Sequence, residues 1–417
     1  MNIGILVIGD ELTGGVTVDS NSPFIARELQ VQGWHVSSVI TVGDDRDAIN
    51  VGLECLLGIS DALIVTGGLG PTEDDITTAA VAAAFGLDVY TDNGVLDRLK
   101  KRFERRGLPW TENNAKQAIF PEGACIIDNP VGTASGFLLG KSGKPVAVIP
   151  GVPAEAEKMF LEGVIPLFRD RFAHSGHIAK KTIKTFGRTE SQIGYALSHE
   201  KLEIPGVSVG SYPRFPEIHL TVTSRGEDRD TVEKNLGIIC ERIESQLYNY
   251  VFGYDEDTLE GVVAALLIDR SLKLSVAESC TGGLIVDRLT DVPGSSIFME
   301  RGVVAYSNTA KVELLGVPDS VIKNHGAVSE EVAILMAEGV RERSGTDLGI
   351  ATTGIAGPAG GTEKKPVGTV FIALSSGENT LCRRFLFAWD RRRIKEISSQ
   401  VALNMLRQFL VDRDTLT

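Results

Sequence analysis

The chain has 417 residues, 43% hydrophobic and 23% charged, with a formal net charge of −13. That length exceeds one ordinary core and predicts two or three domains; the acidic balance excludes broad contact with a nucleic-acid backbone but leaves room for a local site that holds a small anionic nucleotide. No apolar run reaches membrane-spanning length, the N-terminus reads as a strand start and not a signal peptide, and five cysteines without a C-x-x-C pair predict a reduced, cytoplasmic protein.

In the first half, β-branched runs at 3–8, 36–42, 62–66 and 146–149 alternate with helical patterns at 22–32, 46–57, 75–85 and 154–168. The alternation predicts an α/β domain with a parallel sheet covered by helices, and ligands in such folds sit at the loops after the strands. Those loops are polar and acidic: Gly9-Asp10-Glu11-Leu12, Asp19-Ser20-Asn21, Gly43-Asp44-Asp45, and Thr66-Gly67-Gly68-Leu69-Gly70-Pro71-Thr72-Glu73-Asp74-Asp75. Gly67, Gly68 and Gly70 let main-chain amides turn toward an anion, with Thr72 at the entrance of the next helix. Phosphate-friendly amides beside several carboxylates suggest a divalent cation that offsets the charge, with Asp10, Asp44, Asp74 and Asp75 as its oxygen ligands and Asp19 and Asn21 on the substrate side. The plainer alternative makes Asp74 a helix cap and the other acids solvated loop charges.

Residues 172–253 change character, with strands expected at 180–186, 207–211 and 218–223 and helices at 190–199 and 228–247, a small α+β unit. From residue 254 onward a third unit opens on an apolar helix at 259–268. Strands at 274–277, 302–305, 348–353 and 367–374 follow, and a helix at 394–410 closes the chain.

At the end of the 274–277 strand, Glu278-Ser279-Cys280-Thr281-Gly282-Gly283 puts two candidate nucleophiles at a strand-to-helix turn. Gly282 and Gly283 allow close approach of a ligand, and the following helix start favours developing negative charge on an oxyanion. A neutral Lys311 could take the proton of Ser279, with Tyr306 relaying or orienting; the rival is a Cys280 thiolate with His325 as base. Further loops, Pro293-Gly294-Ser295-Ser296, Thr353-Gly354-Ile355-Ala356-Gly357 and Trp389-Asp390-Arg391, add small polar groups and a guanidinium suited to phosphate.

The first half, on Gly9–Leu12, Asp19–Asn21, the 66–80 loop and helix, Asn129-Pro130-Val131-Gly132-Thr133-Ala134 and Pro150-Gly151-Val152-Pro153, resembles the molybdopterin-binding-like domain shared by molybdenum-cofactor biosynthesis proteins and the CinA family. The last third matches the CinA C-terminal domain through Glu278–Gly283, Pro293–Ser296, Tyr306-Ser307-Asn308, Lys311, His325–Ser329, Gly354–Pro358 and Lys365–Thr369. The resemblance implies a three-layer N-terminal domain (1–171), the α+β middle domain (172–253) and a C-terminal α/β deamidase domain (254–417). It implies hydrolysis of ADP-ribose to AMP and ribose 5-phosphate in the first, with magnesium, manganese or cobalt and potassium as a further ion. In the last it implies deamidation of nicotinamide mononucleotide without a cofactor, on Ser279, Lys311 and Tyr306, with Ser296, Thr353 and Arg391 at the substrate. A homodimer is implied too; neither nucleic acid nor membrane is. Two other readings remain at this stage: an N-terminal domain that binds a pterin or nucleotide without turnover, and a regulatory partner in DNA uptake.

Overall fold

The computed structural model describes residues 1–412 except 142, 173–175 and 378. The expected border near 171–172 therefore adjoins residues outside the described set. The chain forms two compact units, residues 1–178 with 225–232, and residues 179–224 with 233–417.

The first unit holds β1 (Asn2–Ile8), β2 (His35–Val42), β3 (Ala62–Thr66), β4 (Val89–Thr91), β5 (Ile119–Pro121), β6 (Cys125–Ile127), β7 (Gly136–Lys141) and β8 (Lys144–Ile149). Six of them make one sheet in the order β2-β1-β3-β8-β7-β6, and β4 pairs with β5 apart from it. The period of two in β1 divides its side chains between two cores: Leu6 and Ile8 pack with Leu53, Val65 and Val81, while Ile3, Ile5 and Val7 pack with Ile25, Leu29 and Phe160. Helices on both faces complete three layers. The expectation of an all-parallel sheet is corrected: β2, β1, β3 and β8 are parallel, but β7 runs antiparallel to both β8 and β6. The helix expected at 154–168 is drawn out over Pro153–Met159, a wider π turn at Phe160–Val164, and Ile165–Arg171. Pro166 cannot donate to the carbonyl one turn back and its ring crowds it, which the wider turn relieves.

In the second unit, β9 (His177–Thr185), β10 (Val207–Arg214), β11 (Glu217–Gly226) and β12 (Val251–Tyr254) form a sheet in the order β10-β11-β9-β12. Ile183, Leu220 and Val222 pack there against Ile193, Ile239 and Ile243 of two helices. The larger sheet of this unit, ordered β14-β13-β15-β16-β17, comprises β13 (Leu274–Glu278), β14 (Met299–Val304), β15 (Leu348–Gly354), β16 (Thr369–Ser375) and β17 (Thr380–Leu386). Its strands again divide between two cores. Val276, Ile350 and Ile372 face Leu267, Ile394 and Leu406, while Ala277, Ala351 and Ala373 face Met336 and Val340. β14, β13 and β15 are parallel, so the loops after all three leave at one edge of the sheet.

Candidate active sites

In the first unit that edge carries a cavity of about 500 Å³ walled by Glu11, Asp19, Asn21, Asp44, Gly67, Gly68, Gly70, Asp74, Asp75, Gln117 and Glu155, among others. The glycine loop packs tightly against β1: a β-carbon on Gly67, at φ 111°, would lie 2.0 Å from the Ile8 carbonyl oxygen. Asp10 and Asp44 are cross-linked, each carboxylate accepting the other's main-chain N–H, at 3.0 and 2.9 Å. Burial pushes the Asp44 carboxyl up, the Asp10 amide opposes this, and repulsion from Asp10, Glu11 and Asp74 pushes upward again.

The other predicted residues divide by what their polar atoms already do. Asp19 caps the helix Asn21–Val31, accepting from Asn21 N and Ser22 N at 3.0 and 3.1 Å. The Asn21 amide nitrogen donates to Thr66 Oγ1 and to the Gly151 carbonyl, while its Oδ1 is buried with no protein partner. Asp75 is turned into its own loop, accepting from the amide and hydroxyl of Thr72, and Asp74 is exposed. Among the described residues no group of three His, Cys, Asp or Glu side chains is placed to hold a metal. The four aspartates expected as ligands are therefore not a closed cage, because Asp75 is spent on Thr72. What remains on the cavity wall, the Asp44 carboxylate, tied behind it to Asp10, and the unpartnered Asn21 carbonyl oxygen, fits an ion held by one or two carboxylates and completed by phosphate oxygens and water. Gln117 and Glu155 were missed by sequence reasoning. Both lie outside the strand-end loops, and only the fold brings them to the wall.

In the second unit the nucleophile turn is built from Glu278 outward. This carboxylate is fully buried and accepts from the amides of Gly283 (3.0 Å), Ile285 (3.1 Å) and Val286 (3.0 Å), so it caps the helix Leu284–Thr290 from the end of β13. Gly282 and Gly283, at φ 63° and 97°, make the reversal. The expectation that this helix start would hold an oxyanion is corrected: three of its amides already serve Glu278. Among the described residues the amides of Thr281 and Gly282 donate to no protein acceptor, and that of Cys280 only to its own thiol.

Ser279 is 8% exposed, and its amide donates to the Thr352 carbonyl at 3.0 Å. Lys311, 1% exposed, points its Nζ at Ser279 Oγ, 3.1 Å away. The same nitrogen donates to the carbonyls of Ala305 (2.8 Å) and Tyr306 (3.2 Å), and among the described residues no carboxylate pairs with it. Burial holds Lys311 below its ordinary 10.5. Tyr306 meets the pair through its main chain; its phenol is exposed and bonds to Arg391 Nη2 at 3.1 Å instead of relaying to Ser279. Arg391 also donates to the Gly357 carbonyl at 2.7 Å.

Burial pushes the Cys280 thiol up to about 12. His325 is directed at Glu331, 2.8 Å from its carboxylate, so the Cys280–His325 pair is not assembled. Gly354 lets the turn approach β15 closely, since a β-carbon there would lie 3.0 Å from Cys280 Sγ. Thr353 is fully buried and its hydroxyl donates to the Ala327 carbonyl at 2.7 Å, a loop-bracing part in place of the expected substrate contact. Ser296 is exposed in a short turn at Ser295–Ile297.

Residues 4–170 match the family model "Probable molybdopterin binding domain", 180–253 "Damage-inducible protein CinA KH domain" and 256–410 "CinA C-terminal domain". A CinA-like protein of Syntrophus aciditrophicus is 55% identical over 412 residues, covering 98% of each chain. A putative competence-damage inducible protein of Caldicellulosiruptor bescii is 42% identical over 408 residues, covering 98% of this chain and 99% of that one. The crystal structure of competence damage-inducible protein A from Klebsiella pneumoniae shares 36% identity over 37% of this chain and 95% of its own, at a TM-score of 0.36 that adds no argument. No helix among the described residues is long and apolar enough to cross a membrane. With all three domain models matched in order and full-length relatives at this identity, the chain belongs to the CinA family.

Proposed function

We propose that the chain is a hydrolase with two separate sites, a serine–lysine amidase in the second unit and a metal-dependent diphosphate hydrolase in the first. The observation that carries the amidase is the buried Lys311 Nζ, 3.1 Å from Ser279 Oγ and without a carboxylate partner among the described residues. A lysine kept neutral by burial can accept a hydroxyl proton. Ser279 Oγ attacks the carboxamide carbon as Lys311 takes its proton, and the amides of residues 280–282 receive the oxyanion. The proton passes to the leaving nitrogen, ammonia departs, and water then cleaves the Ser279 ester to restore the hydroxyl. The substrate we assign, from the family likeness, is nicotinamide mononucleotide, with nicotinic acid mononucleotide as product.

For the first unit we propose ADP-ribose. Its diphosphate would lie against the 67–70 loop, and Asp44, tied to Asp10, would hold a divalent ion, which when bound offsets phosphate charge and polarises the bond to be cleaved. Both proposed substrates arise from the breakdown of one dinucleotide, which gives the fusion a chemical logic.

Ammonia release from nicotinamide mononucleotide by Ser279→Ala and Cys280→Ala variants tests the assignment. The expected outcome is loss of about a thousandfold or more for Ser279→Ala and retention within about tenfold for Cys280→Ala. The reverse order would sink the serine mechanism.

A further inference from the structure

A cavity of about 780 Å³ lies wholly within the second unit, and none of Ser279, Lys311, Tyr306 or Arg391 lines it. Its walls come from the turn after β9, the β10–β11 hairpin, β17 and the closing helix Arg391–Asp412. Six of its twenty-one lining residues are aromatic (Phe186, Phe215, Tyr250, Phe385, Phe387 and Trp389) in a chain whose aromatic content is 6%. Phe215 and Trp389 are 38% and 46% exposed, so ring surface that burial would stabilise is left facing water. These rings are held in place. Phe215 and Trp389 meet edge to face with centroids 5.2 Å apart, and the Arg393 guanidinium lies over both, at 5.2 and 5.3 Å. Phe385 and Phe387 stack at 5.7 Å with 7° between their planes.

The charge on the lining is of one predominant sign. Arg188 and Arg383 both stand there, and among the described residues neither is in an ion pair. Tyr250 fixes Arg188: the guanidinium lies 4.4 Å from the ring centroid and donates to the phenol oxygen at 3.0 Å. Two carboxylates share the lining, but Glu217 is already spent. It accepts from Gln400 Nε2 at 2.8 Å and lies 2.7 Å from His219 Nε2, and Gln400 is held in turn by Arg288 Nη2 at 2.7 Å. Glu190 alone is left against two guanidiniums, which makes the cavity locally cationic in a chain of net charge −13.

We propose that this cavity is a purine nucleotide site, separate from the Ser279 centre, with the base against the aromatic walls and the phosphate on Arg188 and Arg383. A flat heterocycle stacks on such rings, and a phosphate pairs with the planar donor forks. The carboxamides of Asn404 and Gln408, on the same lining, supply donors and acceptors for the polar edge of the base. An aliphatic chain would gain nothing from the guanidiniums, and a bare sugar phosphate nothing from the rings. The volume falls within the roughly 300–1,000 Å³ of small-molecule sites. The proposal rests on neither reaction proposed above.

Trp389 is a built-in reporter, because the other two tryptophans, Trp34 and Trp110, belong to the first unit. The full-length chain is titrated with AMP, adenosine and an adenine trinucleotide, and binding is followed by tryptophan emission and by calorimetry. AMP is expected to change the emission, and Trp389→Phe to abolish that change. Arg188→Gln/Arg383→Gln should weaken AMP about ten- to a hundredfold and adenosine less than about threefold, with Arg188→Lys/Arg383→Lys restoring part of the loss. An unfolding midpoint equal to that of wild type verifies that the glutamine variant is folded. AMP bound in the first unit would give calorimetric heat that neither Trp389 nor the arginines influence. No Trp389-dependent change up to about 1 mM AMP would overturn the site. Equal weakening of AMP and adenosine would overturn the phosphate contact and with it the proposal. A trinucleotide that binds more than about a hundredfold tighter than AMP through the same arginines would assign the cavity to a nucleic-acid strand and overturn it too.

Discussion

Lys311 is the residue on which the amidase chemistry turns, because the same burial that makes its ammonium costly makes its amine available. Desolvation lowers its affinity for a proton, and among the described residues no carboxylate pairs with it to restore that affinity. Amide hydrolysis should therefore rise with pH as Lys311 loses its proton and level off below the ordinary 10.5, measured as kcat/KM against pH. Stability carries a linked signature. Between the lowered folded value and the ordinary 10.5 the unfolded chain binds a proton that the folded chain does not, so wild-type stability relative to Lys311→Met should increase as pH rises across that window. A flat difference in denaturation midpoints would contradict a buried neutral lysine. Ser279 and Lys311 were legible in the sequence as a small-residue turn and a nearby amine. Glu278 was not: a carboxylate that caps a helix from the preceding strand matches no cap spacing, and its partners appear only once Gly282 and Gly283 have reversed the chain. The part expected of Tyr306 also changed, since spacing does not reveal that its carbonyl, and not its phenol, faces Lys311.

Among the elements, β13 with its Glu278 cap and the helix Leu284–Thr290 form the device that presents the nucleophile. Replacing Glu278 by Ala strands three amides, that of Ile285 buried and those of Gly283 and Val286 partly so, and should cost roughly 2–4 kcal/mol, read by denaturant unfolding, together with a larger fall in kcat than in KM. A variant as stable and active as wild type would remove Glu278 from this part. Long strands with β-branched residues were legible from their period: β1, β2, β3, β8, β13 and β15 fall where the apolar runs do. The short and peripheral ones were not. β4 has three exposed residues and β17 carries Arg383 and Arg384 at a sheet edge, so neither shows a buried stripe, while β7 is buried but its apolar run Phe137-Leu138-Leu139 is only three residues long between Gly136 and Gly140. The charge-rich helix Asn93–Arg105 escaped notice as well, although Asp92 caps it at Val95 N. Strand direction is not written in a period of two, so the antiparallel course of β7 and β16 was not legible, although β16 itself was expected at 367–374.

The whole molecule repeats one solution in two units. A sheet with helices on both faces gathers polar loops at the ends of parallel strands, once around Asp10, Asp44 and the 67–70 loop and once around Ser279 and Lys311. The two gatherings differ in chemistry: the first carries several carboxylates, with Asp44 raised by burial, and the second a lysine, Lys311, that burial holds below its ordinary value. Their independence is the central claim, and one assay addresses it. Wild-type chain is incubated with nicotinamide mononucleotide and with ADP-ribose, each with and without a chelator, and ammonia and AMP are measured. Two independent sites predict ammonia release that ignores the chelator and AMP release that the chelator abolishes. Ammonia release that stops when the metal is withdrawn would contradict a serine–lysine amidase.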